Sequence, residues 1–168
     1  FHDPLSKEEL ENLYQQYEGK DKVILGLLVH QGLKTGEMEK LRKTDADLRR
    51  AQLQVPSTKG GCSRALPLAA EQIILLAARL QEHPGELLLG EKLQNRVRSI
   101  IKKIRKLNPK VRTAKHLRGS LIVYWIKSYN LRKAQYLAGH KNILSTELYQ
   151  QADVEDLKKA LDQFHPLK

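Results

Sequence analysis

The spacing of apolar residues changes period along the chain, and the changes mark its elements. Leu10, Leu13, Tyr14 and Tyr17 recur at helical spacing after Ser6, and Ser6 with Glu9 makes a capping box, so a first helix is predicted from about Ser6 to Tyr17, ended by Gly19. Val23 to Val29 is apolar except for Gly26, which predicts a second, largely buried helix over 22–31, broken by Gly32. A short third helix is predicted over 35–43. Between 49 and 68 the period falls to two: Ala51, Leu53 and Val55 alternate with polar neighbours, Pro56, Ser57 and Gly60-Gly61 supply a turn, and Arg64-Ala65-Leu66 follows. That is the pattern of a small antiparallel hairpin. Helical spacing resumes over 69–82, stops at Pro84-Gly85, and dominates after Leu87 to Leu89, with breaks near Asn108-Pro109, Asn130 and Gly139. The predicted class is mainly α with a small antiparallel β hairpin.

The tail repeats the helical pattern in amphipathic form. Val154, Leu157, Leu161 and Phe164 fall on one face, while Glu155, Asp156, Lys158, Lys159 and Asp162 lie mostly on others, so this helix needs an apolar groove. With 168 residues, 40% hydrophobic and 29% charged, the chain reads as one folded domain without repeats and not as a disordered one.

Charge changes the picture. Lys and Arg number 30 against 19 Asp and Glu, a formal net charge of +11, which points to a polyanionic partner. The excess is concentrated between 92 and 118, where Lys92, Arg96, Arg98, Lys102, Lys103, Arg105, Lys106, Lys110, Arg112, Lys115 and Arg118 occur with no acid. Val97, Ile100, Ile101, Ile104 and Leu107 thread this run at helical spacing, so one face packs inward and the rest presents cations, either to nucleic-acid phosphates or only to solvent. The apolar runs are far too short for a membrane span, and no cleavable signal peptide is visible. Cys62 stands alone, which excludes an internal disulfide and cysteine metal sites and suits a reducing, cytoplasmic setting. No convincing carboxylate or histidine metal cluster is present; Asp45 and Asp47 read as capping or turn residues. No metal or other cofactor is expected.

Four local patterns occur in a fixed order. They are His30-Gln31-Gly32-Leu33-Lys34-Thr35-Gly36-Glu37-Met38; Lys59-Gly60-Gly61-Cys62-Ser63-Arg64-Ala65-Leu66-Pro67-Leu68; Lys115-His116-Leu117-Arg118-Gly119-Ser120; and Leu137-Ala138-Gly139-His140 followed by Ser145-Thr146-Glu147-Leu148-Tyr149. Together they resemble the tyrosine recombinase, or phage integrase, family, whose blocks read Gly-Leu-Arg-x-Ser-Glu-Leu, Lys-Gly-x-x-x-Arg-x-x-Pro-Leu, His-x-Leu-Arg-His-Ser/Thr, and Leu-Gly-His with Thr-x-x-Tyr. The resemblance spans nearly the whole chain, from about Leu5 to Leu161. Any one pattern alone has an ordinary structural reading; the shared order carries the resemblance.

The resemblance implies a recombinase catalytic domain that cuts and rejoins double-stranded DNA through a 3′-phosphotyrosyl bond, without ATP or metal. Tyr149 would be the nucleophile, on a short helix that Ser145 or Thr146 could cap. Arg118 would clamp the scissile phosphate with its planar fork, His140 would hydrogen-bond it, and Lys59 at the hairpin tip would protonate the leaving oxygen. Lys115 stands where the family usually has a histidine. Lys34 stands in place of the first arginine, keeping the charge but losing bidentate geometry, and Glu37 matches the acid that supports that position. Gly119 replaces a common histidine, and His116, about 100° round the helix from Lys115, is poorly placed to compensate. Arg96, Arg98, Lys102, Lys103, Arg105, Lys106, Lys110 and Arg112 are the expected DNA contacts. The alternatives are a recombinase-like DNA-binding protein with weakened or lost catalysis, through Lys34, or a generic basic helical protein. The resemblance also implies assembly on DNA as a homo-oligomer, a tetrameric synapse, with the tail passed to a neighbouring protomer or folded back on its own core. An amino-terminal DNA-binding domain is expected in such proteins, so the chain reads as a fragment or as a protein that lost its clamp.

Overall fold

The computed structural model describes residues 3–82, 84–150 and 161–162. Its elements run α1 (Lys7–Gln15), α2 (Gly19–Val29), α3 (Thr35–Lys40), a 3-10 turn (Lys43–Asp45), β1 (Ala46–Asp47), β2 (Gln52–Val55), β3 (Arg64–Pro67), α4 (Ala70–Glu82), α5 (Leu93–Leu107), α6 (Ala114–Ser128) and α7 (Leu131–Ala138). A further helical segment covers residues 143–150. The mainly α class with a small antiparallel sheet is borne out.

Helix α2 lacks a polar stripe because it is the axis of the core, packed against α1, α4, α5 and α6. The Ser6–Glu9 capping box starts α1 as expected. Gly19 behaves differently. Glu18 is the extended N-cap of α2, and Gly19, at φ +61°, is that helix's first residue, so α2 starts before residue 22 and ends at Val29. Helix α3 is also shorter than expected. Leu41 leaves it in an extended conformation and its carbonyl accepts the Leu88 amide at 2.9 Å, which stitches 87–89 to the core. Asp45 and Asp47 take the turn roles expected of them, accepting the amides of Arg42 and Arg50.

The hairpin is part of a three-stranded antiparallel sheet ordered β1-β2-β3. Strand β1 was not expected, because two residues show no alternation; it pairs Ala46 with Leu53. In the β2–β3 register Leu53 faces Leu66 and Val55 faces Arg64, and all four side chains lie on the buried face. Helix α5 buries Leu93, Val97, Ile100, Ile101 and Ile104, while Leu107, at the helix end, is 57% exposed and drops out of the predicted stripe. Apart from residues 161–162, the predicted tail helix over 154–168 lies outside the described residues. Among the described residues no helix is long and apolar enough to cross a membrane.

Candidate active site

One buried ion pair holds three chain reversals together. Lys34 caps α3 and donates its backbone amide to Glu37 Oε1 at 2.8 Å. The same carboxylate receives the Arg64 guanidinium, Nη1 to Oε2 at 2.5 Å and Nη2 to Oε1 at 3.3 Å, and neither side chain has any exposure. Arg64 also donates Nε to the Leu137 carbonyl at 2.7 Å and Nη1 to the Cys62 carbonyl at 3.3 Å. Helix α7 ends in a Schellman-type turn with Gly139 at φ +73°, a conformation that favours glycine, and a Cβ there would overlap the Arg64 guanidinium. The Cys62 amide closes the junction on the Gly139 carbonyl at 2.9 Å, beside a bridge between Gly61 and His140. Arg64 and Glu37 thereby fix the loop of Lys34, the hairpin and the turn of His140 against one another. Glu37 was expected to support the side chain at position 34. It supports that residue's backbone and gives its charge to Arg64.

The hairpin tip is a turn from Thr58 to Gly61, closed by the Gly61 amide on the Thr58 carbonyl at 2.9 Å, with Gly60 at φ +80° in its third position. Lys59, the second residue of that turn, is exposed and is not among the residues lining the cleft of Tyr149 and Arg118.

Thr113 caps α6 and accepts the His116 amide, so Arg118 falls just beyond the first turn. Arg118 is buried and donates Nε to the Gly32 carbonyl at 2.7 Å and Nη2 to the Ala138 carbonyl at 2.6 Å, while also bonding the Tyr149 side chain. Burial lowers its pKa, with Tyr149 and Glu37 opposing. His116 points elsewhere: Nδ1 accepts the Arg112 amide and Nε2 lies 2.6 Å from the Asp3 carbonyl, so it anchors the amino-terminal segment and does not replace Lys115.

The helical segment bearing Tyr149 is capped by Asn142, which accepts the Leu144 amide at 3.0 Å, rather than by Ser145 or Thr146. Thr146 is fully buried instead, with Oγ1 2.9 Å from His140 Nδ1. The His140 and Tyr149 rings lie nearly parallel, 11° between planes and 6.0 Å between centroids. A Cβ on Gly119 would stand 3.0 Å from Tyr149 Cε1, so the glycine that replaces a family histidine makes room for the tyrosine ring. Burial, then the charges of Arg118, Lys34 and Arg64, push the His140 pKa down to about 4 against the opposing Glu37, leaving a neutral imidazole at pH 7. Burial and Arg118 likewise lower the pKa of the half-buried Lys34, with Glu37 opposing.

Lys34, Lys115, Arg118 and Tyr149 line one cleft of about 410 Å³. Through Thr35 and Ala114 it meets a second groove of about 360 Å³, lined by Arg98 and Arg105. The basic run is thus divided. At about 100° per residue, Arg98, Lys102 and Arg105 lie within about 60° of one another on α5, with Lys106 next to them. Arg96 lies on another side, bonded to Asp21 at 2.7 Å, and Lys103 is nearer to it. Lys110 pairs with Glu9 at 3.2 Å. Arg112 is exposed and its carbonyl accepts Arg105 Nε at 2.9 Å. Among the described residues no group of three or more His, Cys, Asp or Glu could hold a metal. Sequence reasoning missed Arg64 and the role of Thr146. Arg64 stood in a quoted motif, and its place opposite Val55 on the apolar face of the hairpin was the available signal.

Comparison with known proteins agrees with this geometry. The chain is 31% identical over 161 residues to tyrosine recombinase XerC of Vibrio parahaemolyticus, covering 88% of this chain and 52% of that protein. It is 29% identical over 152 residues to tyrosine recombinase XerA of Thermococcus onnurineus, covering 84% and 54%. A crystal structure of XerA recombinase superposes with a TM-score of 0.72 at 23% identity, covering 99% of this chain and 66% of that one. XerH site-specific recombinase, solved on a palindromic difH substrate, gives 0.74 at 22%, covering 95% and 52%. The chain therefore spans about half the length of the curated relatives it matches. Residues 4–156 match the phage integrase family model, and the chain belongs to the phage integrase family.

Proposed function

We propose that this chain is the catalytic domain of a site-specific tyrosine recombinase, which cleaves and rejoins double-stranded DNA through a 3′-phosphotyrosyl intermediate. The observation that carries the proposal is the convergence of Tyr149, Arg118 and Lys34 on one cleft with His140 stacked beside the tyrosine. A phosphodiester repels nucleophiles until its non-bridging oxygens are neutralised and the attacking oxygen is aligned. Arg118 commits two donors to the Gly32 and Ala138 carbonyls, which fixes its plane, and keeps others for a phosphate. His140, neutral, adds a hydrogen bond, and Lys34 and Lys115 add charge. Tyr149 Oη loses its proton to solvent as it attacks phosphorus, the bond to the 5′ oxygen breaks, and Lys59 supplies the proton that oxygen needs. Attack by a 5′ hydroxyl on the phosphotyrosine reverses the sequence and rejoins DNA.

Lys34 keeps a cation in the cleft, so the geometry favours a working site over a domain that only binds DNA. The groove of Arg98 and Arg105 would carry the neighbouring backbone phosphates. A lambda integrase dimer bound to a COC′ core site is among the structural neighbours, and assembly of this protein as a homo-oligomer on DNA, up to a tetrameric synapse, follows from the same reading. So do a DNA-associated cytoplasmic location and a further DNA-binding domain that completes a clamp. The test uses nicked duplexes selected for binding, whose cleaved strand diffuses away. A denaturant-resistant protein–DNA adduct is expected; tight binding with no adduct would overturn the proposal.

A further inference from the structure

The neutral His140 carries one ring proton, and which nitrogen holds it decides what the residue offers. An Nε2–H donates to a phosphate oxygen; an Nε2 lone pair repels it. The Nδ1 edge is occupied. Thr146 Oγ1 lies 2.9 Å from it, and Thr146 is fully buried, so the hydroxyl cannot exchange this partner for water without opening the helical segment. The charged groups around the ring come from every neighbouring element: Lys34 and Glu37 from the start of α3, Arg64 from β3 and Arg118 from α6, with Tyr149 stacked on one face. Three of these four charges are cations, which keep the ring neutral without choosing its tautomer. Among the described residues, Thr146 is the hydrogen-bond partner of the nitrogen whose proton is in question.

We infer that Thr146 is a positioning residue that donates its hydroxyl proton to His140 Nδ1, thereby fixing the ring proton on Nε2 at the edge turned away from the threonine. The role of that proton in cleavage rests on the function proposed above; the tautomer itself does not. A threonine inside a helix ordinarily turns its hydroxyl back to the carbonyl four residues earlier, at some cost to the helix. Here the hydroxyl serves the turn that precedes the segment, tying the orientation of His140 to the segment that carries Tyr149. The Thr-x-x-Tyr spacing follows: three residues place Thr146 and Tyr149 on neighbouring positions of one helical face, so both can address a single imidazole.

The experiment is a long-range proton–nitrogen correlation spectrum of the nitrogen-15-labelled full chain at pH 7. The chain's 6 histidines are separated by assigning His140 through His140→Gln. The expected spectrum has a protonated Nε2 and a hydrogen-bonded, unprotonated Nδ1. Thr146→Ser preserves that pattern, and Thr146→Val removes the hydrogen-bond shift at Nδ1 while thermal unfolding stays cooperative. On nicked duplexes Thr146→Val is expected to slow adduct formation about tenfold, below the roughly hundredfold typical of losing a whole oxyanion donor, with DNA binding unchanged and Thr146→Ser rescuing. A protonated Nδ1 in the unsubstituted protein overturns the inference. So does a Thr146→Val spectrum identical to the original, whatever happens to cleavage. The expected spectra with no adduct from the unsubstituted protein would support the tautomer while removing the cleavage reading.

Discussion

Replacing Arg64 by methionine leaves the Glu37 carboxylate buried with one donor, the Lys34 amide, and strips the Leu137 carbonyl of its partner. Breaking one side of a buried ion pair costs about 3–5 kcal/mol, and a stranded carbonyl about 1–3 kcal/mol. Relaxation absorbs part of the sum, so about 4 kcal/mol is expected. With a urea dependence of about 2 kcal/mol/M, the unfolding midpoint falls by about 2 M. Glu37→Leu alone is expected to cost a similar amount, because it strands the guanidinium. Arg64→Met with Glu37→Leu removes both charges and recovers most of the loss, giving a coupling of at least about 2 kcal/mol in a double-mutant cycle. Cleavage does not recover with stability. The loops of Lys34, Lys59 and His140 have lost their common anchor, and misplacement by about 1 Å costs on the order of a hundredfold in rate. The assay is urea unfolding of the four proteins followed by circular dichroism, with adduct formation measured on each. A single substitution costing under about 1 kcal/mol, strictly additive losses, or full activity in the double variant would refute the reasoning.

The remaining expectations concern the cleft and its approaches. Because the Lys34 pKa is lowered, its positive charge is present below that value and is lost as pH rises through it, earlier than for an exposed lysine. Lys34→Arg is therefore expected to raise the cleavage rate and move the alkaline fall-off of the pH–rate profile upward; an unchanged profile would mean that this cation does not limit the reaction. Arg98→Gln with Arg105→Gln is expected to reduce the log–log salt dependence of DNA binding by about 1.8, while Arg96→Gln with Lys110→Gln, at residues already paired to Asp21 and Glu9, leaves it nearly unchanged. Equal slopes for the two pairs would contradict the division of the basic run. Gly119→Ala puts a methyl 3.0 Å from Tyr149 Cε1 and is expected to slow cleavage without altering binding or the unfolding midpoint; an unaffected rate would show that the ring has room to shift.

Much of this architecture was legible in the chain because periodicity and capping are local. Ser6, Asn108, Asn130 and Gly139 mark helix ends through bonds within a few residues, and the structure uses each of them so. What could not be read depends on distant partners. Gly19 looks like a terminator until the next helix is seen to begin on it. Strand β1 is strand only because Leu53 pairs with it. Lys110 and Lys102 look alike in sequence, but one meets Glu9 across 101 residues of chain. In the site, Tyr149, Arg118, His140 and Lys34 could be found by motif order. The bonds that orient them could not, since Arg64 to Glu37 spans 27 residues and nothing in a Thr-x-x-Tyr pattern says that the threonine faces a histidine.

The most direct measurement asks which atom becomes bonded to DNA. Trypsin cleaves after Lys141 and Lys158, releasing residues 142–158, in which Tyr149 is the one tyrosine. After reaction with a nicked duplex and nuclease trimming, this peptide is expected to carry a nucleotide on Tyr149 in fragmentation mass spectra, and Tyr149→Phe, which keeps the ring on His140 but removes the hydroxyl, is expected to yield no adduct. A nucleotide on any other residue, or an adduct that survives Tyr149→Phe, would contradict the account.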